Sequence, residues 1–236
     1  MSPRTNVAVA ESERLREKIE LVLADLTAAS RRLVLDPRIA DLYPEYLFTI
    51  HCVIRASVPL METARERAQE LAAGDPVCAS LAAYLEEHIP EERDHDEWLL
   101  DDLETLGKKR ASILARPPSA TVAAAVGAQY YWILHFHPVT LLGYIAVLEG
   151  YPPSTELVDV LVDRTRHDRA AFRTLIAHAE LDPGHREELD AALDGLDLTR
   201  EQSTAMGLSA IYTVRTMARA IDELTDGFAE DLNRSP

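Results

Sequence analysis

A chain of 236 residues that is 47% hydrophobic and 27% charged can bury a substantial core, and its formal net charge is −16. Because this negative field repels phosphate groups, nucleic-acid binding and docking on anionic membranes are excluded as main roles. The chain has no apolar run long enough for a secretion signal or a membrane span, and its only cysteines are Cys52 and Cys78. We therefore expect a cytoplasmic protein with reduced, buried thiols.

Hydrophobic periodicity and the positions of proline and glycine predict about seven helices and no sheet. In chain order the predicted helices cover residues 12–35, 43–73 with a kink at Pro59, 76–106, 119–149 bent at Pro138, 154–180, 185–193 and 199–232. The step at residues 182–184, Asp-Pro-Gly, should interrupt the helix that contains it, and residues 108–118 should form a connection. The sequence thus predicts one all-α domain over residues 1–236, with flexible ends at 1–11 and 233–236.

The third predicted helix contains an acidic, histidine-rich stretch, HIPEERDHDEW, at residues 88–98. Glu92 and His95 stand three residues apart, and His88 lies four residues before Glu92, so a continuous helix would place all three on one face. Trp98 and the leucines after it extend this face as an apolar stripe, which indicates that the face points inward. Such a motif on its own usually marks a solvated surface, so its meaning depends on the rest of the chain.

The fourth predicted helix is nearly all apolar from residue 129 onward and then reaches Glu149. Tyr131 and His135 lie on the same predicted line of the helix as Glu149. A carboxylate at the end of a buried helix needs a partner, because an unpaired charge is costly to remove from water.

A third segment, HAELDPGH at residues 178–185, begins in the fifth predicted helix and has the spacing His178-x3-Asp182-x2-His185. On a continuous helix these two imidazoles and one carboxylate point the same way and form half of a transition-metal site. Asp182 has an alternative role as the N-cap of a helix that has Pro183 in its first turn.

Three segments therefore supply three carboxylates and three imidazoles: Glu92, His95, Glu149, His178, Asp182 and His185. A mixed nitrogen and oxygen donor set suits iron or manganese better than zinc or calcium. Six ligands are too many for one open catalytic ion but suit two ions. Glu-x2-His is also the recurring element of di-iron carboxylate sites in helical bundles. The sequence predicts a two-ion redox centre.

At these residues the chain resembles the haem-oxygenase-like di-iron oxidases, a family of iron-containing redox enzymes with a seven-helix, all-α bundle. The resemblance extends from about residue 40 to 230 and includes HCVIRASVPLM and YYWILHFHPVTLLGYIAVLEGYPP. It implies two irons per chain, cycling between Fe(II) and Fe(III), held by the six residues above, with His88 outside the set. It also implies dioxygen as co-substrate and an external or substrate-derived reductant.

The same resemblance implies a small-molecule substrate in a biosynthetic pathway, oxidised by N-oxygenation, C–C cleavage or decarboxylation. An amino acid or an amine or carboxylate derivative is the favoured class. His51 and Arg55, one turn apart, and Tyr131 and His135 are candidate substrate-binding residues. A buried arginine needs an anion, which either a substrate carboxylate or a neighbouring acidic side chain provides equally well.

Two other functions stay open. One is a metal-free enzyme of the same fold, similar to the TenA-like thiaminases, which would need a cysteine nucleophile, or to the cofactor-free quinone-forming oxidase PqqC. The other is a non-enzymatic acidic helical module that binds a partner or stores metal. Homodimers are common in such folds, so the resemblance leaves a homodimer open as well.

Overall fold

Long helices account for most of residues 9–232, the part of the chain that the computed structural model describes. No strand occurs in this part. Its α-helices are α1 (Glu11–Leu35), α2 (Ile39–Ile54), α3 (Ser57–Leu71), α4 (Pro76–Glu92), α5 (His95–Thr105), α6 (Arg110–Ala115), α7 (Ala120–His135), α8 (Leu141–Leu148), α9 (Thr155–Thr165), α10 (Arg173–Asp194) and α11 (Arg200–Leu232). Short 3₁₀-helices cover Pro138–Thr140 and Arg169–Phe172. The all-α prediction is confirmed.

The predicted number of helices, about seven, is too low because several long predicted helices are divided by turns. The second divides between α2 and α3, so Pro59 lies in a first turn, where its missing N–H needs no partner, and does not kink a helix. The fourth divides after His135, and Pro138 begins a 3₁₀-helix there. The predicted connection at residues 108–118 contains the short helix α6.

One predicted interruption does not occur, because α10 continues through residues 182–184. Proline and glycine weaken a helix locally, but tertiary packing can override that preference. Here the helix is held on both sides of the step, since Phe172 just before it and Leu189 and Leu193 within it are buried in the core. The predicted separate helices at 154–180 and 185–193 are therefore wrong, and His178, Asp182 and His185 share one helix.

The centre of the bundle is α8, where residues 141–147 are all buried. It packs against α11, which also packs along α1, while α3 packs on α4 and α2 on α5. Arg16 of α1 fixes the end of α8, because its guanidinium donates to the carbonyl oxygen of Ala146 (2.9 Å) and to Oδ1 of Asp190 in α10 (2.7 Å). These contacts hold α8 and α10 at a defined separation.

None of the helices within residues 9–232 is both long enough and apolar enough to cross a membrane. Of the ends predicted to be flexible, 1–8 and 233–236 lie outside the described residues, while α1 already begins at Glu11. Cys52 and Cys78 are both free and buried, as expected.

The contact between α8 and α11 requires glycine at position 143. A Cβ at this position would lie 2.2 Å from the carbonyl oxygen of Met206. We expect Gly143→Ala to lower the free energy of unfolding by about 1–3 kcal/mol, because the two backbones must move apart. Gly127, exposed on α7 with nothing within 4 Å of its Cβ position, is the matched control. There alanine should stabilise by about 0.5–1 kcal/mol. Urea denaturation of both variants tests this, and equal stabilities would contradict it.

Candidate metal centre

Glu92 and His95 meet at a break between two helices. Helix α4 ends at Glu92, Asp94 adopts a left-handed backbone with φ 70°, and α5 begins at His95. Aspartate tolerates this conformation better than most residues. Nδ1 of His95 lies 3.2 Å from Oε2 of Glu92, and both side chains are buried. The two residues are neighbours as predicted, but a turn and not a continuous helix brings them together.

Glu149 lies directly after α8 and is 5% exposed. Its Oε1 is 3.1 Å from Nε2 of His88, and the donor atoms of His88, Glu92 and Glu149 all lie within 4.8 Å of one another. The sequence interpretation left His88 outside the set of candidate ligands. The signal that could have included it is its spacing of four residues before Glu92, which the continuous helix α4 turns into a shared face.

Helix α10 brings its three candidate residues to the same place. Nδ1 of His178 is 2.8 Å from Oδ1 of Asp182, and Nδ1 of His185 is 3.4 Å from Oε1 of Glu92. Asp182 is almost fully buried inside α10, so its alternative role as an N-cap is wrong.

These seven side chains, which we call the buried cluster, form two halves that share Glu92. The first half is His88, His185 and Glu149, and the second half is His95, His178 and Asp182. The two imidazoles of the first half have ring centroids 5.5 Å apart, and those of the second half 5.1 Å apart. Oε1 of Glu92 faces the first half and its Oε2 faces the second. Each half offers two imidazoles and one carboxylate, and Glu92 lies between them as a bridging carboxylate would.

The donor atoms of the buried cluster fit a metal. Besides Nδ1 of His88, four of its buried atoms have no hydrogen-bond partner: Oε1 of Glu92, Nδ1 of His95, Oε2 of Glu149 and Nδ1 of His185. Leaving such atoms unpaired costs about 1–3 kcal/mol each. Among the described ion pairs, the cluster carboxylates contact histidines and no lysine or arginine. A pair of divalent transition-metal ions would satisfy these atoms and balance the buried negative charge.

The metal-free cluster holds protons tightly. Burial raises the pKa of the Glu149 carboxyl, and the hydrogen bond from His88 reverses only part of that effect. Burial lowers the pKa of the His88 imidazole, but the hydrogen bond to Glu149 and the charges of the carboxylates around it together outweigh burial and raise the pKa to about 8. For His178, burial again opposes the charged form, but the hydrogen bond to Asp182 and the charges of the nearby carboxylates together outweigh burial and raise the pKa. Bound metal would have to displace these protons.

An apolar cavity of about 300 Å³ reaches the second half of the cluster, where His178 and Asp182 form part of its wall. Aliphatic side chains of α2, α8, α10 and α11 make up much of the remainder. The hydroxyls of Tyr151 and Thr174 also belong to the wall and have no hydrogen-bond partner. The cavity suits a ligand with an apolar body and few polar groups.

The four candidate substrate-binding residues do not line this cavity. His51 is fully buried with both ring nitrogens unpaired, and Arg55 is partly buried at the end of α2. Tyr131, 63% exposed, and His135, also exposed, stack on each other at 5.0 Å between ring centroids. The turn at residues 136–140 directs α7 away from α8, so the predicted polar line joining Tyr131, His135 and Glu149 is wrong.

Cys78 has neighbours that the sequence does not reveal. Its Sγ is 3.4 Å from Nε2 of His137, which in turn is 2.9 Å from Oδ2 of Asp75. The thiol is fully buried and does not line the apolar cavity, and burial raises its pKa to about 11. A nucleophilic cysteine needs an accessible thiol with a lowered pKa, so this trio lacks the properties of an activated nucleophile.

Carboxylates and imidazoles that converge inside an all-helical bundle are the arrangement from which helical bundles build their metal sites. The sequence profile of the iron-containing redox enzymes matches residues 58–217, more than half of the chain. The chain belongs to this family. No curated protein sequence matches it significantly.

Solved structures with the same fold include three that cover nearly the whole chain. A domain of unknown function with a heme oxygenase-like fold from Shewanella denitrificans has a TM-score of 0.79 at 16% identity, covering 94% of this chain and 95% of its own. A TenA homologue from Pseudomonas syringae has a TM-score of 0.72 at 11% identity, with coverages of 96% and 98%. A CADD-like protein of unknown function from Nostoc punctiforme has a TM-score of 0.68 at 16% identity, with coverages of 92% and 98%. These likenesses establish a haem-oxygenase-like fold.

The raised pKa of His88 predicts how the stability of the metal-free protein depends on pH. Because its folded pKa of about 8 exceeds the ordinary value of 6.5, its stabilising contribution is complete below pH 6.5 and is lost as the pH rises through 8. This contribution is at most about 2 kcal/mol. Urea denaturation of chelator-treated protein between pH 6 and 9 measures it. In Glu149→Gln the free energy of unfolding should fall by less between pH 6 and 9. A wild-type free energy of unfolding that rises over this interval would contradict the assignment of the effect to His88.

Proposed function

We propose that this chain is a non-haem di-iron oxidase or oxygenase that uses dioxygen to oxidise a small molecule. The observation that carries the proposal is the position of Glu92, with one carboxylate oxygen toward each of two similar halves. Two imidazoles and one carboxylate are a donor set that holds Fe(II) while leaving positions open. Membership of a family of iron-containing redox enzymes supports iron as the metal.

Two ferrous ions, when bound, would supply the electrons and the open coordination positions that reduction of dioxygen requires. The chain's own residues hold and orient the donors. Trp98 packs against the rings of His95 and His178, with centroids 4.1 and 6.3 Å away, and restricts their rotation. The apolar wall of the cavity excludes water from the second half of the cluster.

The cavity supports a substrate with an apolar body. One water molecule occupies about 30 Å³ in the liquid. By that measure the cavity of about 300 Å³ would hold roughly ten non-hydrogen atoms. An amine or carboxylate group would lie at the end next to His178 and Asp182 or beside the hydroxyls of Tyr151 and Thr174. The proposal thus keeps an amine or carboxylate derivative as substrate and adds an aliphatic or aromatic body to it.

A metal-free, TenA-like activity is the second candidate because one structural neighbour is a TenA homologue. The trio of Cys78, His137 and Asp75 is the feature that it would use. The buried thiol, with its raised pKa, argues against it. Alkylation of accessible thiols should therefore leave activity unchanged, whereas the metal-free reading expects its loss.

Counting bound iron tests the two-ion proposal. Under anaerobic conditions we expect wild-type protein to retain about two ferrous ions per chain after desalting. Glu149→Gln and Asp182→Asn should each weaken one half and retain about one ion, whereas Glu92→Gln removes the shared ligand and should retain fewer. Glu187→Gln, exposed on α10, is the control and should match wild type. Fewer than about one ion in wild type, or full retention by Glu92→Gln, would contradict the proposal.

Filling the cavity tests where the substrate binds. Ile50 belongs to the cavity wall, and Ile50→Trp should occupy the space without touching the cluster. We expect unchanged iron content and an at least about tenfold loss of oxygen consumption with decanoate or phenylalanine. Aspartate, which has no apolar body, should stimulate neither protein. Val160→Trp, at an exposed position of α9, is the control for the added indole. If Ile50→Trp retains full activity with a wild-type melting temperature, the substrate does not bind in this cavity.

A further inference from the structure

A groove of about 590 Å³ reaches the first half of the buried cluster. Residues of α4, α8 and α10 line it, and His88 is the cluster residue that forms part of its wall. Three exposed carboxylates, those of Glu87, Glu91 and Glu188, also line it, and its described wall includes no lysine or arginine. The groove therefore attracts cations, in contrast to the apolar cavity at the second half.

His88 faces both the groove and the interior. Its Nε2 lies 3.1 Å from Oε1 of Glu149, whereas its Nδ1 lies 3.5 Å from Oε2 of Glu91 on the groove side. The side chain is 1% exposed, and Nδ1 has no hydrogen-bond partner. The donor atoms of His88, Glu91 and Glu188 lie within 4.8 Å of one another, as do those of His88, Glu92 and Glu149. One imidazole thus belongs to two groups of candidate metal ligands.

A neutral imidazole has one nitrogen with a free lone pair, so His88 can serve only one of these groups at a time. When the imidazole is neutral and its proton lies on Nε2, that N–H donates to Glu149 and the lone pair of Nδ1 is directed into the groove. When Nε2 binds an interior ion, the proton must lie on Nδ1, within reach of Glu91. The neutral form without interior metal is therefore the one that accepts a cation from the groove.

We propose that His88, Glu91 and Glu188, which we call the groove site, capture a divalent cation and pass it to the first half of the cluster. The identity of this cation as Fe(II) rests on the proposed function. Once the interior position is filled, the groove site loses its nitrogen ligand and cannot retain a second cation there.

The rate of metal uptake tests this role separately from catalysis. Metal-free protein is mixed anaerobically with ferrous ammonium sulfate, and unbound iron is removed at set times by a chromophoric ferrous chelator. The test variant is Glu91→Gln/Glu188→Gln, and the control is Glu180→Gln/Glu187→Gln, which removes the same charge from exposed positions of α10 outside the groove. We expect wild type and control to load at one rate, and the test variant to load at least about tenfold more slowly to the same final iron content.

Equal loading rates of the test variant and the control would overturn the inference. A lower final iron content at an unchanged rate would overturn it too, because the two carboxylates would then hold a resident ion. If wild-type protein retains no iron, the proposed function fails. The same comparison of uptake rates is then made with Co(II), which is followed by its visible absorption, and it tests the groove site independently of the proposed function. A slower uptake of Co(II) by the test variant would support the site, and equal rates would overturn it.

Discussion

The interaction on which the site depends is the burial of the Glu92 carboxylate between an imidazole of α5 and an imidazole of α10. A carboxylate removed from water must be neutralised, and in the contacts around Glu92 that compensation comes from His95 and His185. Protonated imidazoles can provide it without metal, and divalent ions can provide it with metal, but not both on the same nitrogen. Protonation and metal binding at the cluster are therefore linked.

The surrounding fold keeps this costly arrangement in place. Helix α8 delivers Glu149 to the interior because Gly143 allows it to lie directly against α11, and Arg16 fixes its end to α1 and α10. The left-handed turn at Asp94 then returns the chain so that His95 faces Glu92. Rigid, buried elements carry most of the donors, as a preorganised metal site requires.

The two approaches to the cluster differ in chemistry. The apolar cavity ends at the second half, and an acidic groove ends at the first half. The carboxylates of the groove attract cations and disfavour an apolar molecule. The aliphatic wall of the cavity favours an apolar molecule and disfavours a cation. Under the two proposals, a metal ion would approach through the groove and an organic substrate through the cavity. The fold alone would not reveal this, since relatives at 11–16% identity share the bundle and no more is established by that likeness.

Local sequence signals determined the helical class and the position of most helix segments, because the 3.6-residue periodicity of apolar residues reflects which face is buried. They also picked out Glu92, Glu149 and the His178 segment, because buried acidic and imidazole groups stand out against an apolar pattern. Where they failed, a competing tertiary contact prevailed. Packing of α10 carried the helix through a proline and a glycine, and the turn at residues 136–140 moved Tyr131 and His135 to the surface.

The sequence by itself therefore determined that the chain forms a helical bundle with ionisable groups in its interior. Only the tertiary structure decided that His88 joins them, that Glu92 lies between two halves, and that Cys78 lies next to His137. The physical reason is that spacing along one helix fixes which residues share a face. Which faces of different helices meet depends on packing between segments that are far apart in the chain.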